Sequence, residues 1–266
     1  MKIGLLIPST SYGRNEWVSY KDTYLYKHTL MTFLKTYDKD LHEHKFYIGI
    51  DRNDRIYDDL KTREEISRVT SVMKNIDIQF IYMDNIKKGH LTVMWNKLYD
   101  IALDDGCDYF FQCGDDIEFK TKGWISDCIT ELSAMNDVGM VGPINNNPCI
   151  LTQTFVSRKH KELFGYYFPP EIINWFCDDW INDIYKHMNR FKPLHNHICI
   201  NVGGKPRYDI NNDPTYMMIN TRQKHNVCKQ HCLSIIKRDI ERLIQKLNKR
   251  CDTNVEQEAD VSNVTT

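Results

Sequence analysis

This chain of 266 residues predicts an α/β fold with a mostly parallel central sheet wrapped by helices. One observation is the alternation of short β-rich runs with longer helical patterns over about the first 120 residues, which reads β-α-β-α-β-α-β. The other is composition: 41% hydrophobic and 27% charged residues can bury a sizeable core, and one elaborated domain fits this length better than two independent ones.

The first predicted strand covers 2–8 (KIGLLIP). A helix follows over 21–37, where Leu25, Thr29, Met31, Phe33 and Leu34 supply an imperfect apolar face. Residues 45–51 (KFYIGID) form the second strand, 57–74 a charged helix and 76–83 the third strand. Gly89 opens a helix through Leu103 that stops near Asp104-Asp105-Gly106, and 108–113 is the fourth strand. The pattern then changes to a helix over 124–135, a short strand at 138–141, a loop at 142–148 (GPINNNP) and a strand at 152–157. Pro169-Pro170-Glu171 begins a segment that reaches a helix at 179–187, and 195–202 reads as a final strand closed by Gly203-Gly204. Residues 222–250 are basic, with Leu233, Ile236, Ile240, Leu243 and Leu247 at three- and four-residue steps. They predict an amphipathic helix packed on the core with a solvated basic face; peripheral membrane or partner-helix contact is the alternative. Past Cys251 no core-forming pattern remains. The expected division is a main domain over 1–212, a helical extension over 213–251 and a disordered tail over 252–266.

The formal net charge of -1 gives no electrostatic reason to expect nucleic acid. Nine cysteines without regular spacing read as reduced, partly buried thiols, which points to a cytosolic-type compartment. The apolar run at 3–7 meets Pro8 and polar residues at once, too soon for a signal-peptide core or a membrane span. A Lys-, Asn-, Ile- and Tyr-rich composition fits an AT-rich genome such as that of a large DNA virus, with the host cytoplasm as the place of action. His225, Cys228, His231 and Cys232 lie close together, but their irregular spacing on a helix does not turn them to one point, which disfavours zinc.

Ligands of open α/β sheets bind beyond the carboxyl ends of the strands. The loops there contain Pro8-Ser9-Thr10, Asp51-Arg52-Asn53-Asp54 and Gly114-Asp115-Asp116-Ile117-Glu118. Neither a P-loop nor a G-x-G-x-x-G turn is present, so phosphate must be met by other means. Adjacent carboxylates at a strand end hold a hard divalent cation, which neutralises a departing diphosphate. Asp51 reads nearly as well as a turn residue; for Asp115-Asp116 the alternative is an ordinary polar turn, against which the neighbouring pattern argues.

The order of a strand, an Asp-ended strand, a Gly-initiated helix and then F-F-Q-C-G-D-D-I-E-F resembles the GT-A glycosyltransferases, particularly their family 2-like members, over about residues 2 to 200. The resemblance implies a metal-dependent transfer of sugar from a nucleoside diphosphate sugar, UDP-linked, to a hydroxyl of a saccharide, protein or lipid, with inversion. The family's acidic motif, commonly Asp-x-Asp, binds Mn²⁺ or Mg²⁺. Its last position falls on Asp116, with Asp115 beside it, and its first on Gly114, a departure from the common pattern. Asp51 takes the place of the nucleoside-contacting acid, and Pro8, Ser9 and Thr10 line the same pocket. The segment ending W-F-C-D-D-W-I resembles the acceptor side, which makes Asp178 and Asp179 the candidate bases, one of them free to cap the helix. His195 is a candidate metal ligand, and Lys205 and Arg207 are candidate phosphate partners. Two alternatives stand beside this reading: a nucleotide-sugar-fold protein without turnover that acts through its basic helix, with Gly114 as its support, and a sugar-1-phosphate nucleotidyltransferase, for which Ser9 to Arg14 is a poor loop.

Overall fold

The first strand, β1 (Lys2–Ser9), is buried along nearly its whole length because helices cover both of its faces. Ile3, Leu5 and Ile7 enter one apolar cluster and Leu6 the other, the alternation a strand imposes. A computed structural model describes residues 1–39, 41–71, 73–203, 207–208 and 229–246. Parallel to β1 lie β2 (Glu43–Ile50) on one side and β4 (Tyr109–Gln112) on the other, and β3 (Ile76–Tyr82) pairs beyond β2. The sheet continues from β4 through the antiparallel β7 (Thr154–Ser157) to β6 (Met140–Ile144). It ends with β8 (Phe191–Asn201) and β5 (Ile117–Phe119), giving eight strands in the order β3-β2-β1-β4-β7-β6-β8-β5. The fold is thus the expected α/β one, parallel in its first half as predicted but mixed in its second.

One face carries a π-helical stretch (Leu25–Leu30) running into α1 (Met31–Thr36), together with α2 (Leu60–Thr70) and α4 (Trp124–Ala134). The other carries α3 (Leu91–Asp104), α5 (Lys159–Phe164), α6 (Cys177–His187) and a helix at 229–246, here α7. The single helix predicted over 21–37 is broken into a short turn at Tyr20–Asp22, the π-helical stretch and α1. Its apolar face is imperfect for a reason: the Thr29 and Thr32 hydroxyls accept the backbone N–H groups of Ile117 and Phe119 at 3.1 and 3.0 Å and so satisfy one edge of β5. The chain at 142–144, expected in a loop, belongs to β6; that strand pairs with β7 through Val141 alone, so Pro143 owes no N–H to that side. Sequence periodicity missed β5 and α5, which at three and six residues are too short to show one.

The buried face of α7 is Cys232, Ile235, Ile236 and Leu243, with Ile240 beside them, whereas Leu233 is 47% exposed. The predicted stripe holds at Ile236, Ile240 and Leu243 and departs at Leu233, and the buried face also takes in an acid. Asp239 accepts from Trp180 Nε1 at 3.1 Å and Tyr166 Oη at 3.0 Å and pairs with Arg238 at 2.8 Å. Leu247, His225, Cys228 and the 252–266 tail lie outside the described residues. Of the other two members of the His/Cys group, His231 is exposed while Cys232 is buried and donates to the Phe176 carbonyl, so they face apart. Six of the seven described cysteines are buried and all are unpaired, Cys149 being the exposed one. No helix among the described residues is long and apolar enough to cross a membrane.

Candidate active site

An open cleft of about 770 Å³ runs along the carboxyl ends of β1, β2 and β4 and reaches the start of α6. At one end Asp51 closes β2. Its carboxylate accepts from Thr10 Oγ1 at 3.0 Å and from the Tyr208 hydroxyl. Asp54, four residues from the strand in the same turn, does structural work: it accepts the backbone N–H groups of Ser11, Ile56 and Tyr57 at 2.7, 2.9 and 2.9 Å. The D-R-N-D turn therefore divides its roles, with Asp54 holding the loop and Asp51 left at the cleft. Tyr208 stacks on Tyr12, ring centroids 4.9 Å apart, and Lys88 lies over both rings.

In the middle of the cleft stand Asp115 and Asp116. Asp115 is buried, accepts from Ser9 Oγ at 2.6 Å and pairs with Arg207 at 2.5 Å, so both of its oxygens are engaged. Burial, and then the neighbouring Asp115 charge, push the Asp116 carboxyl up to about 6, against the pull of Arg207. Its carboxylate occupies space that a side chain would need at two other positions. A Cβ on Gly114 would sit 2.5 Å from Asp116 Oδ1, and one on Gly203 would overlap Oδ2. Gly114, a departure in sequence terms, thus makes room for the acid beside it. Gly203 arrives there because β5 pairs with β8 and Val202 donates to the Asp116 carbonyl at 2.9 Å.

At the far end, the chain enters α6 through Phe176, which has a φ of 73°, a strained value for a bulky residue. Asp178 follows in the first turn and lines the cleft. Burial, and then the charge of Asp179, push the Asp178 carboxyl up to about 7. Asp179 is half-buried and is not among the cleft residues. The Asn182 side chain, one turn later, pairs with both backbone groups of Leu151 at 3.0 and 2.8 Å, which ties α6 to the strand entering β7.

The structure thus gathers Pro8, Ser9, Thr10, Asp51, Asp115, Asp116, Asp178 and Arg207 around one cleft. His195 is exposed on β8 and is not among the cleft residues, while its neighbour His197 is buried against Asp127 Oδ2 at 2.7 Å. Lys205 lies outside the described residues. Glu118 is turned toward His28 Nδ1 at 2.7 Å. Sequence reasoning missed Tyr208, Gln153 and the asparagines at 146, 147 and 201 as cleft residues; their only signal was a place near strand ends.

Among the described residues no group of three or more His, Cys, Asp or Glu side chains converges to cage a metal. The residues fit a more open site for a hard cation. Asp116 is a desolvated carboxylate beside a second one, and such ions are held by one or two carboxylates with phosphate oxygens and water completing the shell.

A parallel half-sheet with a mixed extension and a cleft at its strand ends make this a Rossmann-like GT-A fold. No protein-family model matches the chain, and no curated protein matches it by sequence. Among solved structures it is similar to S. aureus TarS 1-349 in complex with UDP, at 13% identity and a TM-score of 0.50 over 75% of this chain and 60% of that one. The same TarS fragment in complex with UDP-GlcNAc gives 12% identity and a TM-score of 0.50 over 78% and 60%. At such identities the likeness is one of fold, and the chain spans three fifths of the length of those neighbours.

Proposed function

We propose that the protein is a glycosyltransferase that moves a sugar from a UDP-linked donor to an acceptor hydroxyl with inversion. The observation that carries this reading is Asp178: a carboxyl raised to about 7 at the cleft end opposite the strand-end acids, where an acceptor would approach. A general base works best with a pKa near the working pH. The UDP and UDP-GlcNAc complexes of the structural neighbours support the donor class.

In this reading Asp51 accepts an N–H of the base and Thr10 holds that carboxylate in place. Arg207, already beside the acid pair, stabilises the charge that develops on the diphosphate. Asp116 is the residue that would hold a divalent cation, which when bound would supply further neutralisation of the leaving group. Asp178 takes the proton of the acceptor hydroxyl as the oxygen attacks the anomeric carbon from the side opposite the diphosphate. Burial, and after it the charge of Asp179, keeps the Asp178 pKa high.

A thermal-shift panel of UDP, GDP, CDP and ADP, each with and without Mn²⁺, tests the donor assignment. Ligand at about a hundred times its Kd stabilises by roughly 2.7 kcal/mol, or several degrees in a chain of this size. A Mn²⁺-dependent shift with UDP is expected; folded protein that shifts with none of the four refutes the nucleotide site. Asp178→Asn is expected to keep the UDP shift and lose transfer by orders of magnitude, and Asp179→Asn to lose far less. Equal full activity in both would remove the base assignment.

A further inference from the structure

At the β2 end of the cleft two groups suit a flat ring with a polar edge: the Asp51 carboxylate, which accepts, and the Tyr12 ring, which stacks. Both are already taken, and by one residue. The Tyr208 hydroxyl donates to Asp51 Oδ2 and lies 3.1 Å from Thr10 Oγ1. Its ring stacks on Tyr12 with centroids 4.9 Å apart and planes inclined by 17°, which is direct aromatic contact and leaves no slot for a third ring between them. Lys88 Nζ lies 5.5 and 5.7 Å from the Tyr12 and Tyr208 centroids and adds a cation to the faces of the pair.

Tyr208 reaches this place from beyond β8, 157 residues from Asp51 in sequence. Arg207 beside it pairs with Asp115, and the Arg207 carbonyl lies 3.6 Å from where a Cβ on Gly13 would stand, so the two residues pack against the turn that follows β1. Burial, and then the bond to Asp51, push the Tyr208 hydroxyl above the usual range of a phenol. It therefore meets the carboxylate as a neutral donor at any working pH.

A nucleobase uses the same two interactions, a π face for stacking and ring N–H groups for a carboxylate. With the diphosphate of a bound nucleotide beside Asp115, Asp116 and Arg207, its base falls at Asp51, where the phenol of Tyr208 stands. A ring that merely covered a bound base would lie outside it and leave the acid open. This ring takes the contact of the acid itself.

We propose that Tyr208 is a built-in competitor for the nucleobase: in the free protein its ring fills the place of the base against Tyr12 and Asp51, and a nucleotide binds by displacing it. The proposal rests on the transferase reading above and adds to it a restraint on donor entry. The apparent affinity of a ligand falls with the fraction of protein whose site is open, so a ring that leaves about one molecule in ten open weakens nucleotide binding about tenfold. Anything that draws Tyr208 away raises donor affinity without adding a contact to the donor.

The test is calorimetric binding of UDP and of uridine, with Mn²⁺ present, to the full chain and to its Tyr208→Ala and Tyr208→Phe variants. Uridine carries the base without the diphosphate, so its affinity reports on the Asp51 end alone. Tyr208→Ala is expected to bind both ligands about tenfold more tightly than the parent, and Tyr208→Phe, which keeps the stack and loses the hydrogen bond, to fall in between. A second measurement follows the parent itself. Nitration of Tyr208 by tetranitromethane, located by peptide mass spectrometry, is expected to quicken when UDP saturates the site, because the phenol is released from Asp51. Equal or weaker binding by Tyr208→Ala, or nitration of Tyr208 slowed by UDP, overturns the competitor in favour of a ring that covers the base or only supports the fold. The two levels separate: UDP that binds the parent and Tyr208→Ala alike refutes the competitor alone, whereas UDP that binds neither refutes the nucleotide site as well.

Discussion

Asp178 is a carboxyl that the fold holds in its protonated form further up the pH scale than the unfolded chain does. Between its ordinary value of 3.8 and about 7 the native state binds the extra proton, so its contribution to stability is full below 3.8 and is lost as pH rises through about 7. Asp178→Asn, which cannot ionise, should therefore gain melting temperature relative to the parent at pH 8 and not at pH 4, by about 2–4 °C for each kcal/mol relieved. The parent's kcat/KM for transfer should rise with pH through about 7 and then level, as its base deprotonates. A parent rate that falls over that interval contradicts the assignment. Gly203 offers a second test at this scale. Alanine there would overlap the Asp116 carboxylate, so Gly203→Ala is expected to weaken Mn²⁺-dependent UDP binding by about tenfold or more in calorimetry. Because Gly203 is exposed, the ligand-free melting temperature should stay near that of the parent. The same geometry explains Gly114, which sequence reasoning could count only as a missing acid.

At the level of elements, α7 was legible as an amphipathic helix, yet the residue that fixes its register was not. A buried acid in the middle of an apolar face reads as a break in the pattern until its partners are known. Those partners are Trp180 on α6 and Tyr166 in the preceding loop, and they come from far along the chain. Asp239→Ala leaves the Trp180 N–H and the Tyr166 hydroxyl without their acceptor, and Arg238 without one partner. It is expected to cost ~3 kcal/mol in denaturant unfolding, because breaking a buried pair strands the remaining group. Since α7 also holds the Phe176 carbonyl through Cys232, amide exchange should quicken in α6 as well as in α7. Protection unchanged in both helices would show that α7 rests on its apolar contacts alone.

Over the whole molecule, the two apolar clusters on opposite faces of the sheet make the cleft a rigid feature, because the strand ends that carry Ser9, Asp51 and Gln112 are buried on both sides. The parallel half was readable because each of its strands is flanked by a helix close in sequence, so local alternation already encodes it. The second half was harder. Its strands pair out of order, β7 next to β4 and β8 between β6 and β5, and short elements such as β5 and α5 carry no period of their own. The carboxylates were also readable, since acids closing buried strands stand out against the apolar runs before them. His195, a metal-ligand candidate through the resemblance alone, is left exposed by the pleat and the irregular register of β8 near residue 194.

By itself, then, the sequence determined the sheet class, the acids at the ends of β2 and β4 and the acidic start of α6, all of which depend on neighbours within a few residues. Only the tertiary structure decided that Arg207 pairs with Asp115 across 92 residues, that Gly203 makes room for Asp116, and that Asp178 rather than Asp179 lines the cleft. Those outcomes depend on burial and on contacts between distant segments, and a carboxylate's pKa is set by the surroundings that packing gives it.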